Sequence, residues 1–170
     1  MARIAIPTWY FVLVVVRKDD RYLMIQETKH DQLWYLPAGR VEPGETFIEA
    51  AQRETLEESG IPVDIEGIVR VEHSVMAHAS RMRVIFTAKP QNNTLPKTHP
   101  DEHSLQAAWV TLAEMKSLPL RGIEVLELFH YIANGAPIYP LELIKPEGAP
   151  FLLPTTLRLT QSAIGENRFL

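Results

Sequence analysis

The chain has no cysteine, and that absence removes disulfides, thiolate metal sites, sulfur-bound zinc clusters and thiol nucleophiles from consideration. It also lacks a long apolar run. The best candidate, Trp9–Val16, is far too short to span a bilayer. It runs into Arg17-Lys18-Asp19-Asp20 without a small-residue cleavage site, so it reads as a buried strand and not as a membrane span or signal peptide. There is no surplus of positive charge: 17 Lys and Arg stand against 21 Asp and Glu for a net charge of -4, which argues against non-specific binding to nucleic acid. No internal repeat is present. What is there is ordinary for a globular chain. With 170 residues, 46% of them hydrophobic and 22% charged, one domain with a sizeable core is expected, and its cysteine-free composition fits the cytoplasm.

The chain is organised around Leu36–Ile61, LPAGRVEPGETFIEAAQRETLEESGI, where carboxylates and glycines concentrate. Thr46 and Glu49 form a T-x-x-E capping box, Pro43 and Gly44 precede it as turn residues, and Gly60 sits where a left-handed cap is expected, which predicts a helix from about Phe47 to Ser59. Ile48, Ala51 and Thr55 share a stripe that faces a core. On the neighbouring face Glu54, Glu57 and Glu58 converge through i+3 and i+4 spacings. Like charges crowded into the C-terminal half of a helix repel each other and the helix dipole, so a bound cation would relieve them, and a hard ion such as Mg2+ or Mn2+ suits oxygen ligands. An acidic helix face taken alone is more often simply solvated.

The wider spacing separates the two readings. Gly39, Glu45, Arg53, Glu54, Glu57, Glu58 and Gly60 fall at every fixed charged or glycine position of G-x5-E-x7-R-E-U-x-E-E-x-G-U, with Ile61 at the last U and Thr55 as the one departure, where an aliphatic residue is usual. This segment resembles the Nudix box. The resemblance covers roughly residues 8 to 135 and implies an α+β fold, the Nudix α/β/α sandwich around a mixed sheet. It further implies hydrolysis of a phosphoanhydride in a nucleoside diphosphate linked to some other group, in a small-molecule substrate and without a nucleic-acid or membrane partner. Metal would be held by Glu54, Glu57, Glu58 and the Gly39 carbonyl, and Arg53 would pair with a carboxylate, Glu45, to orient the box. Nucleoside di- or triphosphates, ADP-ribose or sugar nucleotides, and dinucleoside polyphosphates all remain open as substrates. A non-catalytic nucleotide-binding module is the other class on this fold, but it would be expected to lose box carboxylates and none is missing; in either class the chain is expected as a monomer or homodimer.

Around the box, Trp9–Val16 and Tyr22–Glu27 read as an antiparallel hairpin, Leu33–Leu36 as a third strand, Val63–Val75 and Met82–Ala88 as two more, and Ala107–Val110 as a sixth. Thr111 and Glu114 form a second capping box opening a short helix, and Arg121–Asn134 is predicted helical before Gly135. Residues 1–135 are thus expected to form the domain and 136–170 a proline-containing extension. Within the extension, Ile138–Ile144 would add an edge strand or cover the site, and the chain from about Thr155 would fray. Its Tyr139-Pro140-Leu141-Glu142 is similar to a tail of small bacterial Nudix phosphatases.

The remaining candidates carry finer roles. Arg40, Arg81 and Arg83 are candidates for phosphate binding, the last two alternating on one face of a strand. The general base is either Glu54 or Glu102, the latter in the polar loop Pro90–Ser104 in a D-E-x6-W arrangement that resembles the way Nudix proteins bring an extra acid over the site. Glu57, as a metal ligand, is counted with the catalytic set. His73, His78, His99 and His103 lack metal-ligand spacing and read as surface histidines, and Trp34 and Tyr35 read as strand packing, with base stacking as the alternative.

Overall fold

The fold is a computed structural model that describes residues 5–151. Seven strands, β1 Thr8–Lys18, β2 Arg21–Glu27, β3 Trp34–Tyr35, β4 Ala38–Arg40, β5 Val63–Val75, β6 Ser80–Pro90 and β7 Ser104–Thr111, accompany the helices α1 Phe47–Ser59, α2 Leu112–Met115 and α3 Ile123–Ala133. β1 pairs in parallel with β6 and antiparallel with β4, while β5 completes that side. β2 pairs antiparallel with β3 and β7.

The expected hairpin is real only at its turn. β1 and β2 share just Arg17↔Tyr22 and Lys18↔Arg21, then splay apart into different halves of the sheet. The reason lies in the apolar run itself. Val12, Val14 and Val16 enter one core with Ala50 and Ala51 of α1, and Leu13 and Val15 enter a second core with Val125 and Phe129 of α3. A strand buried on both faces belongs in the middle of a layered sheet, with neighbours on both edges. The order helix, mixed sheet, helix is the expected α/β/α sandwich. β4 was not expected as a strand.

Beyond α3, Tyr139 and Ile68 exchange both backbone hydrogen bonds at 2.8 Å, bridging the extension to the edge of β5 before a single turn at Leu141–Leu143. Gly67 makes this possible, because a Cβ there would fall on the Ile138 side chain and 2.9 Å from the Tyr139 carbonyl. The extension thus contributes one bridge and not a strand. The expectation that the chain frays from Thr155 lies outside the described residues.

Candidate active site

Local signals set the helix that carries the acidic face. The Thr46–Glu49 capping box is formed on both sides, and Gly60 closes the other end in the left-handed region at φ 74°. Thr55 is fully buried where an aliphatic residue was expected, yet its hydroxyl donates to the Ala51 carbonyl at 2.7 Å, and the Ser59 hydroxyl donates to the Thr55 carbonyl at 2.5 Å. Both buried hydroxyls are therefore satisfied inside the helix, and the departure leaves the packing intact.

Arg53 is the hub of the box. Its Nε and Nη2 clasp the Glu45 carboxylate at 3.0 and 2.6 Å, its Nη1 donates to Glu54 and Glu57 at 2.9 and 3.0 Å, and Nη2 also reaches the Arg40 carbonyl at 3.0 Å. One planar fork thus joins the loop after β4 to the acidic face. The hydrogen bond from Arg53 holds the Glu45 carboxyl below its usual range, and Glu45 raises Arg53 in return.

Glu54 and Glu58 sit deeper. Burial raises both carboxyls, with the Arg53 hydrogen bond opposing it at Glu54. Glu58 is pushed up to about 8 because water is excluded from it, although the Ala38 N–H donates to its Oε2 at 3.0 Å. The Glu54 carboxyl group lies so close to Gly39 that any Cβ there would fall inside it. Nearby, the buried Oε2 of Glu27 has no hydrogen-bond partner, while its Oε1 takes Arg121 at 2.9 Å and His30 at 3.1 Å.

These groups fit a hard divalent cation. The donors are all oxygen, Gly39 leaves room for the Glu54 carboxylate against its backbone, and Glu27, whose buried Oε2 has no partner among the described residues, lines the same cleft as Gly39 and Glu58. Among the described residues no three acids or imidazoles are gathered closely enough to hold a metal ion as they stand. The carboxylates form an open wall, an arrangement that leaves coordination positions for water and phosphate oxygens.

A cleft of about 480 Å3 opens beside this wall, lined from both halves of the splayed sheet by Phe11, Glu27, Tyr35, Gly39, Glu58 and Arg81, among others. Arg83 and Arg121 also line it. Arg83 is tied to Glu72 through Nε at 2.7 Å, whereas Arg81 and Arg40 are not ion-paired among the described residues and both lie over the Phe11 ring, at 5.9 and 5.7 Å from its centre. Arg40 itself is not part of the cleft lining. Glu102 stands at the cleft with its side chain 88% exposed. His103 is exposed, as expected of a surface histidine, and also lines the cleft with Nδ1 3.7 Å from Glu57 and Nε2 3.6 Å from Glu102. Trp34 and Tyr35 are buried in the sheet, and Arg121 stacks over Tyr35 at 4.7 Å. No described residue of the extension lines the cleft, so the alternative that it covers the site is not what the structure has. Glu27 and Arg121 escaped the sequence reading because an isolated acid ending a strand and an isolated Arg before a helix carry no local signal.

Comparison with known proteins agrees with this geometry. The NUDIX domain family matches residues 8–129. The human 8-oxo-dGDP phosphatase NUDT18 is 39% identical over 145 residues, covering 83% of this chain and 44% of that protein. The phosphatase NudJ of Shigella boydii is 31% identical over 144 residues, covering 82% of this chain and 92% of NudJ. A NUDIX hydrolase from Nitrosomonas europaea superposes with a TM-score of 0.70 at 26% identity, over 84% of this chain and 99% of that one. The chain spans less than half the length of NUDT18. With the complete box on the helix and this likeness over most of its length, the chain belongs to the Nudix family.

Proposed function

We propose that this protein is a metal-dependent hydrolase that cleaves a phosphoanhydride bond of a small nucleotide by attack of water on phosphorus. The observation that carries the reading is the acidic face of α1, where the Glu54 carboxyl lies against Gly39 and Arg53 ties Glu54 to Glu57, beside a cleft lined by Gly39, Glu58, Arg81 and Arg83. Glu54, Glu57, Glu58 and the Gly39 carbonyl would hold Mg2+ or Mn2+, which neutralises pyrophosphate charge and lowers the pKa of the attacking water. Arg53 orients the box through Glu45 and the Arg40 carbonyl and does not touch substrate. Arg81, with no carboxylate paired to it among the described residues, would meet the phosphates, with Arg83 in the same cleft and Arg40 over the same Phe11 ring. A carboxylate takes the proton from water. Glu102 fills that role better than Glu54, because it is exposed and stands clear of the carboxylates that would hold the cation.

The first substrate class to test is a nucleoside diphosphate, in keeping with the name of the NUDT18 relative. The cytoplasm is the proposed place of action. Purified protein with Mg2+ or Mn2+ is to be screened against nucleoside di- and triphosphates, ADP-ribose, sugar nucleotides and dinucleoside polyphosphates, reading phosphate against pyrophosphate release. Hydrolysis abolished by EDTA is expected. Turnover that survives EDTA would sink the metal reading, and binding without turnover would favour the non-catalytic module.

A further inference from the structure

The segment Lys97–Ser104 carries Glu102 and His103, and it is fastened to the end of α1. The Lys97 N–H donates to the Ser59 carbonyl at 2.8 Å, and the Lys97 carbonyl accepts from the Ala107 N–H at 2.8 Å, so this residue bridges α1 and β7. Its ammonium donates to the Glu57 carbonyl at 2.9 Å. The Ser104 hydroxyl donates to the Glu58 carbonyl at 2.6 Å. Together with Gly60, whose N–H takes the Leu56 carbonyl, these contacts satisfy the last carbonyls of α1, which no residue of the helix itself could reach.

Asp101 is different, because among the described residues none of its hydrogen bonds goes to α1. Both its carboxylate oxygens accept from the Lys97 ammonium at 2.7 Å, and its Oδ1 also accepts from the His103 and Ser104 N–H groups at 2.9 and 3.1 Å. Its own N–H donates to the Ser104 carbonyl at 3.0 Å. Helix capping would need only Lys97 and Ser104, so these bonds serve another end: they fix the backbone on both sides of Glu102. An exposed Lys–Asp pair is ordinarily worth little. Here the Lys97 side chain is 16% exposed and its ammonium serves three acceptor atoms on two groups, the Glu57 carbonyl and the Asp101 carboxylate. Among the described residues Glu102 has only the distant contact to His103 to hold its own side chain.

We propose that Lys97 and Asp101 form a clasp that positions Glu102 and His103 over the Glu57–Glu58 end of the carboxylate face, so that both are positioning residues for hydrolysis. The proposal rests on the reading of that face as the site of phosphoanhydride cleavage.

The test compares Asp101→Ala, Lys97→Met and the conservative Lys97→Arg with wild type, using 8-oxo-dGDP and dGDP with Mg2+ as probes, alongside amide hydrogen exchange across residues 98–104. Asp101→Ala and Lys97→Met are expected to speed exchange in that segment while the centre of α1 stays protected. They should lower kcat by roughly 10- to 100-fold, the cost of slight misplacement of a catalytic group, with KM within about threefold. Lys97→Arg should retain most of kcat. In a Glu102→Gln, His103→Ala background Asp101→Ala should cost less than about twofold, because nothing is left to position. A full loss in that background, or an unchanged kcat in a loosened loop, overturns positioning and leaves the hydrolase reading standing. Wild-type protein that hydrolyses neither probe nor any other phosphoanhydride overturns the hydrolase reading instead. Exchange then judges the clasp alone, and unchanged exchange overturns it.

Discussion

Glu58 is where the chemistry of a single side chain reaches the stability of the fold. Its carboxyl is pushed up to about 8, against an ordinary value of 4.5, so between those limits the folded chain holds a proton that the unfolded chain has released. Stability from that proton is fully present below about 4.5 and is lost as pH rises through about 8, so alkali weakens the metal-free protein through this group. Glu58→Gln removes the titration. In EDTA its Tm should therefore fall less than that of wild type between about pH 5 and about pH 8. A divalent ion must displace the same proton, so the rise in Tm on adding Mg2+ should grow with pH in wild type and largely disappear in Glu58→Gln. Thermal melts with and without Mg2+ measure both effects, and a mutant with the wild-type slope would remove Glu58 from the site. Gly39 supplies a second case. Gly39→Ala puts a methyl into the Glu54 carboxyl group, which is the flexible end of a side chain and can move away. The fold should then survive with Tm within a few degrees, while displacement of that carboxylate lowers kcat by roughly 100-fold. Wild-type kcat in this variant would mean that Glu54 does not work where the structure places it.

Between elements, Arg53 joins α1 to the loop after β4, and a Lys there keeps the charge but loses the fork. Arg53→Lys should retain the helix, since the Thr46–Glu49 box is untouched, yet lower stability to urea by about 1–3 kcal/mol and reduce kcat more than it raises KM. An unchanged urea midpoint would show that the Glu45 and Arg40 contacts carry nothing. α1 itself was legible because both of its ends are written locally, in the capping box and in Gly60, and the box residues lie along it at fixed spacing. The splay of β1 from β2 was not legible, because it is set by β6 and β7, which lie far along the chain. β4 is three residues, Ala-Gly-Arg, with no periodicity of its own, and only its pairing with β1 makes it a strand. The same division runs through the site. The carboxylate face is a local pattern, whereas Glu27 meets Arg121 from 94 residues away and Lys97 reaches the Glu57 carbonyl from 40 away, so no window of sequence holds both partners. His103 is the surface histidine that its spacing suggested, but its place beside Glu57 was not legible, because it depends on a loop that folds back onto the helix from far along the chain.

At the scale of the whole molecule, two cores lie on opposite faces of one sheet, with β5 as an outer strand. A boundary at residue 135 would leave that strand's edge bare. We propose instead that residues 136–151 fold as part of the same unit. Leu141 and Ile144 pack against the core that holds α1, Tyr139 closes the backbone of Ile68, and Gly67 is open only to admit Ile138. Each aliphatic side chain taken from water is worth up to about 1.5–3 kcal/mol, less when only partly covered. Truncation after Gly135 should therefore lower Tm by something on the order of 5–10 °C, since each kcal/mol moves Tm by about 2–4 °C in a chain of this size. A stop after Phe151, which keeps the contacts of residues 136–151, is the control for a shortened chain. Because no described residue of the extension lines the cleft, the shorter protein should keep near-wild-type KM while it stays folded. Gly67→Val should reproduce much of the loss in the full-length chain, as a branched side chain there would drive Ile138 off the sheet. Thermal melts of the three proteins beside wild type decide the matter: if truncation after Gly135 leaves Tm where it was, the extension is an appendage and the domain ends where α3 does.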